Sequence, residues 1–277
     1  MPLPPDFVFS QNSLQDYVDC PRRFQLRYLM RLAWPTIEAE PIAEFERRRR
    51  MGSLFHRMIH QHILGIPLER LGRMASDPDL QLWWSNYAQA LPAALPGKRF
   101  PEVTLSAPIG KWTLTAQYDL VVVSPEDKAT ILDWKTADKL PKREWLAARL
   151  QTRIYRFLLA RAGSVLNDGK AIGADQIEFV YWYAGFPDEA FRFAYDEAQA
   201  TADEGKLTDL IQELAQQREG DYPLTAEDVR RCSYCVYRSY CSRGDQAGRL
   251  EDFAEAPETE EEQLAELDFG QIAEIEF

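Results

Sequence analysis

Two aspartates constrain this chain more than any other pair of residues. Asp119 and Asp133 each stand seven positions from Glu126, the centre of the turn-forming run Ser124-Pro125-Glu126-Asp127-Lys128. The flanking segments, Thr113 to Val123 and Ala129 to Lys135, are apolar and rich in β-branched residues, and they predict the two strands of a hairpin. In a symmetric, unbulged hairpin the two acids face each other, with Cβ atoms about 4.5–5.5 Å apart. Lys135, two residues beyond Asp133, points to the same face. Asp119 also interrupts a run, Leu120 to Val123, that otherwise reads as buried. Two buried carboxylates repel unless a proton or a cation compensates. The pattern predicts that the pair shares a metal ion, the chemistry of a metal-dependent phosphodiesterase.

The rest of the chain supplies the scaffold. Helices are predicted over Ser13 to Met30, where Pro21 bends the helix or starts a new one, over Ala43 to Leu64, Leu80 to Leu91, Arg143 to Ala162 and Asp196 to Gln217. Further strands are predicted at Glu102 to Ala107 and Gln176 to Tyr183. Helices, antiparallel strands, helix, strand, helix is the order of an α/β fold with a mixed central sheet. A length of 277 residues suits one large domain or two small ones. No apolar run reaches the roughly 20 residues that span a bilayer, and the start lacks the basic and apolar regions of a signal peptide. A cytoplasmic protein with no membrane partner is expected.

Charge argues first against a nucleic-acid partner, since the net value is −12. Its distribution points the other way. Residues 251–277 hold eleven acids and no Lys or Arg, so the rest of the chain carries only a single net negative charge. Basic clusters remain at Arg22, Arg23 and Arg27, at Arg47 to Arg50, and at Arg143, Arg149, Arg153 and Arg156. These permit phosphate binding, although Arg47 to Arg50 also reads as a solvated helix turn. The tail composition predicts disorder. Its spaced apolar residues, Leu264, Leu267, Phe269, Ile272, Ile275 and Phe277, suit docking on a protein partner or over the chain's own basic surface; a solubilising tail is the simpler alternative.

The four cysteines are Cys20, Cys232, Cys235 and Cys241. Disulfides are disfavoured in a cytoplasmic setting, and C-x-x-C here adjoins no βαβ unit. A four-thiolate metal site remains. The C-x5-C spacing suits an iron–sulfur cube better than paired zinc knuckles, with zinc as the alternative. Such a site would staple the first helix to the end of the domain.

Further pieces are Gly52-Ser53-Leu54-Phe55-His56 and the i, i+4 pair Gln151 and Tyr155. Taken in order, these segments resemble a RecB-like nuclease of the PD-(D/E)XK superfamily, in the branch with a four-cysteine iron–sulfur cluster. Gly52 to His56 resembles G-x-x-x-H, Asp119 the lone acid, Asp133 to Lys135 D-x-K, and Gln151 to Tyr155 Q-x3-Y. Cys20 to Phe24 resembles C-P-x-x-F. Gln117 departs from the pattern, where relatives often have glycine.

The resemblance implies a restriction-endonuclease-like core over residues 1–250, with cluster-stapled helical terminal segments. The acidic tail at 251–277 has no counterpart in the family pattern and is read from its composition. The resemblance also implies a metal-dependent deoxyribonuclease, acting on single-stranded DNA or DNA ends in repair, recombination or CRISPR adaptation. A catalytically silent DNA-binding or assembly module is the alternative. His56, Asp119, Asp133 and the Trp134 carbonyl are the implied ligands of Mg²⁺ or Mn²⁺, and Cys20, Cys232, Cys235 and Cys241 those of a 4Fe–4S cluster. Lys135 is implied to orient the attacking water, and Gln151 and Tyr155 to hold substrate or Lys135. His60 has no motif counterpart and reads as a helix-face residue.

Overall fold

A computed structural model of the chain describes residues 3–33, 40–91, 94–218, 220–225, 232 and 235–244. The chain divides into two units, one of Met1–Ala33 with His56–Thr225, the other of Trp34–Phe55 with Ala226–Phe277.

The first unit is built on a six-stranded mixed sheet. Its strands are β1 (Val8–Ser10), β2 (Lys98–Ile109), β3 (Trp112–Val123), β4 (Ala129–Lys135), β5 (Ile177–Tyr183) and β6 (Ala190–Ala194). The helices are α1 (Gln11–Asp19), α2 (Pro21–Phe24), α3 (Glu40–Ile63, His56 onward in this unit), α4 (Leu68–Gly72), α5 (Pro78–Ala90), α6 (Arg143–Ala148), α7 (Leu150–Ala162) and α8 (Glu197–Gln216). The expected α/β class with a mixed central sheet and flanking helices is what the chain forms.

The hairpin forms in the expected register. Leu120 pairs with Leu132 and Val123 with Ala129, and Asp127 takes a left-handed φ of 61° in the turn. β2 runs antiparallel along the whole of β3. β1 and β4 therefore share the other edge of β3, β1 against Thr113–Thr115 and β4 against Leu120–Val123. Between them lie residues 116–119, which neither strand covers, and Asp119 stands at the rim of this gap.

Burial changes phase at the same place. Leu114, Ala116 and Tyr118 enter one core cluster, and beyond Asp119 it is Val121 and Val123 that join it. The residue of β2 that falls opposite Asp119 in the register is Glu102, whose φ is 51°. Both strands thus kink together, which preserves their register while turning side chains to new faces.

β4 and β5 pair in parallel, with Asp133 opposite Tyr181 and Lys135 opposite Tyr183. A parallel pair needs a crossover, here α6 and α7. Ile154, Leu158 and Leu159 of α7 are wholly buried in the cluster that includes Phe179 and Tyr181. The opposite face is covered by α5, where Tyr87 lies edge-on to Trp134 and Trp182. Asp77 caps this helix, accepting from the Asp79 amide at 3.0 Å.

Several boundaries differ from expectation. The first predicted helix stops at Cys20, whose extended backbone (φ −160°, ψ 102°) ends α1; Pro21 then opens α2 at its first position, followed by a π-helical turn over Gln25–Leu29. β1, α4 and β6 have no counterpart among the predicted elements, being too short to show a period. The predicted helix Arg143 to Ala162 breaks at Arg149 (φ −59°, ψ 144°), whose guanidinium lies 4.8 Å from the centre of the Trp145 ring.

In the second unit the residues from Cys235 to Arg243 form successive turns. The Cys235 amide donates to the Cys232 carbonyl at 3.1 Å and the Cys241 amide to that of Tyr237 at 2.9 Å. Among the described residues no helix is long and apolar enough to cross a membrane. The acidic tail, 251–277, lies outside the described residues.

Candidate active site

The splaying of β4 from β3 creates the site. The last ladder pair is Leu120 with Leu132, so the Trp134 amide has left β3; the Asp119 carboxylate captures it, with Oδ2 at 2.8 Å. Its other oxygen, Oδ1, meets His56 Nδ1 at 3.2 Å. Asp119 thereby ties α3 to the end of β4.

Asp133 and Lys135 lie on the α7 side. The Lys135 ammonium is 3.1 Å from Asp133 Oδ2. The Gln151 amide closes the triangle, Nε2 donating to Asp133 Oδ1 at 2.7 Å and Oε1 accepting from Lys135 Nζ at 3.3 Å. Restarting the helix at Leu150 puts Gln151 in its first turn, above the C-terminal end of β4, where α/β sheets commonly hold ligands. The Lys135 main chain is fixed as well, its carbonyl accepting from the Ala184 amide at 2.7 Å. Asp133, Lys135 and Gln151 are 3 %, 7 % and 2 % exposed, whereas the His56 side chain is 32 % exposed. The His56–Asp119 edge is accordingly the solvent-facing side.

The electrostatics follow from this layout. Burial pulls the His56 imidazole down, but the Asp119 carboxylate, with Asp133 behind it, reverses the sign and carries the pKa up to about 9. Burial alone would raise Asp119; the His56 charge, the Trp134 amide and Lys135 hold it below the usual carboxylate range instead.

The ladder between β3 and β4 ends at Leu120 with Leu132, one step short of the expected pair of acids. Each carboxylate has its own protein partners, His56 and Trp134 for Asp119, Lys135 and Gln151 for Asp133. Among the described residues no three His, Cys, Asp or Glu side chains are gathered so as to hold a metal ion. The two carboxylates nonetheless suit a hard divalent cation, and the imidazole adds a borderline nitrogen donor. The Tyr155 ring packs among aromatics, 4.7 Å from that of Tyr118 and 5.8 Å from that of Phe179. None of the four cysteines forms a disulfide.

Several arginines of the basic clusters are paired within the fold, while Arg50 and Arg143 are exposed. Arg23 bridges Asp16 and Asp19 at 2.8 and 2.9 Å, and Arg27 meets Asp16 at 2.7 Å. Arg153 pairs with Asp203 at 2.6 Å, and the buried Arg156 stacks on Tyr195 and donates to the Thr152 and Ala194 carbonyls. These arginines hold helices together rather than form a phosphate stripe. His62 meets the Tyr87 hydroxyl at 2.9 Å.

Sequence reasoning missed Thr152 and Tyr181, which stand behind Gln151: the Tyr181 hydroxyl is 3.3 Å from Gln151 Oε1 and 2.8 Å from Thr152 Oγ1. Pairing Ala129–Lys135 with Ile177–Tyr183 in parallel from their equal lengths would have placed Tyr181 beside Asp133.

No curated protein matches the chain. A solved structure described as "Putative exonuclease", from Eubacterium rectale, shares 8% identity at a TM-score of 0.51, covering 89% of this chain and 92% of its own. Another, SSO0001, has 12% identity and a TM-score of 0.39, covering 84% of this chain and 85% of its own. The model of the PD-(D/E)XK nuclease superfamily matches residues 8–242, a span that takes in the hairpin, the crossover helix and the cysteine segment, and the chain belongs to that superfamily.

Proposed function

We propose that this chain is a metal-dependent deoxyribonuclease that hydrolyses phosphodiester bonds in single-stranded DNA or at DNA ends. The observation that carries the reading is the convergence of Asp119, Asp133, Lys135, His56 and Gln151 where β4 parts from β3, in a member of a nuclease superfamily. Superfamily members generally use divalent metals. His56, Asp119, Asp133 and the Trp134 carbonyl would hold Mg²⁺ or Mn²⁺, and the ion supplies Lewis acidity toward phosphate and lowers the pKa of water. The negative charges of Asp119 and Asp133 beside His56 favour a cation at this place.

Lys135 then neutralises a non-bridging phosphate oxygen and orients the attacking water; Gln151 holds Lys135 and Asp133 in mutual register. Water oxygen bonds to phosphorus as the P–O bond to the leaving sugar breaks. Tyr155 supports the helix that carries Gln151. The four cysteines would hold a 4Fe–4S cluster, a reading supported by their spacing, which would staple the fold without needing a redox task. Purified anaerobically, the chain should carry iron that Cys235→Ser loses; an iron-free, equally stable wild type contradicts the cluster.

A silent DNA-binding module would have no need of both acids and the lysine, all of which this chain keeps. The deciding experiment offers single-stranded and duplex DNA, labelled at either end, with Mn²⁺, Mg²⁺ or EDTA. Metal-dependent shortening supports the nuclease and gives its polarity; DNA bound but left intact under every condition contradicts it.

A further inference from the structure

Tyr181 and Thr152 form a second tier of hydroxyls beneath the site. Tyr181 is wholly buried and Thr152 equally so. Thr152 Oγ1 lies 2.6 Å from the Leu146 carbonyl oxygen and 2.8 Å from the Tyr181 hydroxyl, which in turn lies 3.3 Å from Gln151 Oε1. The chain of contacts ends at Asp133 Oδ1 through Gln151 Nε2. Lys135 Nζ lies 5.6 Å from the centre of the Tyr181 ring.

The Tyr181 hydroxyl is placed to donate to Gln151 Oε1, which then accepts from Lys135 and Tyr181 together. Thr152 backs it, its hydrogen going to the Leu146 carbonyl or to the Tyr181 oxygen. Burial pushes the Tyr181 hydroxyl up to about 12, so it keeps its hydrogen throughout the working range of pH. A buried amide oxygen that loses its donor is costly, and Tyr181 leaves Gln151 Oε1 with a donor even when the Lys135 ammonium turns to a phosphate.

We propose that Tyr181, backed by Thr152, is a positioning residue: its hydroxyl holds Gln151 Oε1 beside Lys135 and goes on holding it when Lys135 turns to the substrate, so that Gln151 Nε2 stays on Asp133. No covalent bond changes. The inference rests on the reading of Lys135 as the phosphate-binding lysine, and adds to it the group that keeps Gln151 in place.

The test has two readouts. In metal-free protein with ¹⁵N-labelled glutamine, Lys135→Met stands in for a departed ammonium. Hydrogen exchange of the Gln151 side-chain amide is then compared with and without Tyr181→Phe. Exchange should quicken about tenfold on losing the hydroxyl, the scale of one net hydrogen bond, with the melting temperature little changed. In cleavage assays on the otherwise native chain, Tyr181→Phe and Thr152→Val should each lower kcat about tenfold and leave KM within about twofold. Tyr181→Phe should add nothing to Gln151→Ala. Equal exchange rates, or a Tyr181→Phe loss that persists undiminished in the Gln151→Ala background, would overturn the proposal. A wild type that cleaves nothing would instead sink the nuclease reading, and the exchange comparison would still decide the role of Tyr181.

Discussion

Asp119 does the work of two residues. One oxygen replaces the backbone partner that Trp134 loses where the strands part, and the other holds His56 at 3.2 Å. A single acid at a kinked position thus fixes both the strand ending and the helix beside it. Asp119, Asp133 and Lys135 are legible in the sequence because a hairpin's period and a centred turn define faces without any tertiary information. The separate partners of the two acids are not legible, since they depend on where β4 leaves β3. Tyr17 offers a separate test at this scale. Its hydroxyl joins α1 to α8, donating to Glu213 at 2.9 Å and accepting from Gln217 at 2.8 Å. Burial first, and Glu213 second, push its pKa up to about 12. The unfolded chain gives up that proton near pH 10, so this contribution to stability is complete below pH 10 and is lost as pH rises from 10 through 12. Urea unfolding at pH 8, 10 and 11 should show a shallower decline for Tyr17→Phe than for wild type. Identical slopes would mean that the contact contributes nothing.

At the scale of elements, β3 organises the site by having two different neighbours on one edge, and β2 supports it along the other. Gly97 makes the start of β2 feasible: its φ is 136°, and a Cβ there would stand 2.2 Å from the Val123 carbonyl oxygen. Gly97→Ala should destabilise the protein by about 2–4 kcal/mol, combining backbone strain with overpacking, measured as a lower urea midpoint with the m-value unchanged. A midpoint equal to wild type would contradict the close approach. Long elements with a clear period, β3, β4, α5 and α8, match their sequence expectation nearly to their ends. The interruption at Arg149 does not, because nothing local forbids helix there; its stacking on Trp145 and the fit of Leu150 to Ala162 against the sheet are tertiary. That interruption matters, since it sets the phase that brings Gln151 to Asp133.

For the whole molecule, charge is a poor guide until it is divided by place. The acids of residues 251–277 mask a nearly neutral body. Within that body, arginines that read as phosphate stripes are spent on Asp16, Asp19 and Asp203. Such pairs are costly to break one partner at a time, so the fold, more than DNA, accounts for them. The order of motifs carries the superfamily correctly because each motif occupies a position the topology needs: an acid at a strand gap, an acid and a lysine at a strand end, a glutamine in the crossover helix. The central claim, that these groups form one hydrolytic centre dependent on a divalent ion, is tested most directly by following cleavage of end-labelled DNA while titrating Mn²⁺ into wild type and Asp133→Asn side by side. The account predicts saturable, EDTA-sensitive cleavage by wild type and a loss of about 100-fold or more in the variant, with both proteins equally folded. Cleavage by folded Asp133→Asn at the wild-type rate would contradict it.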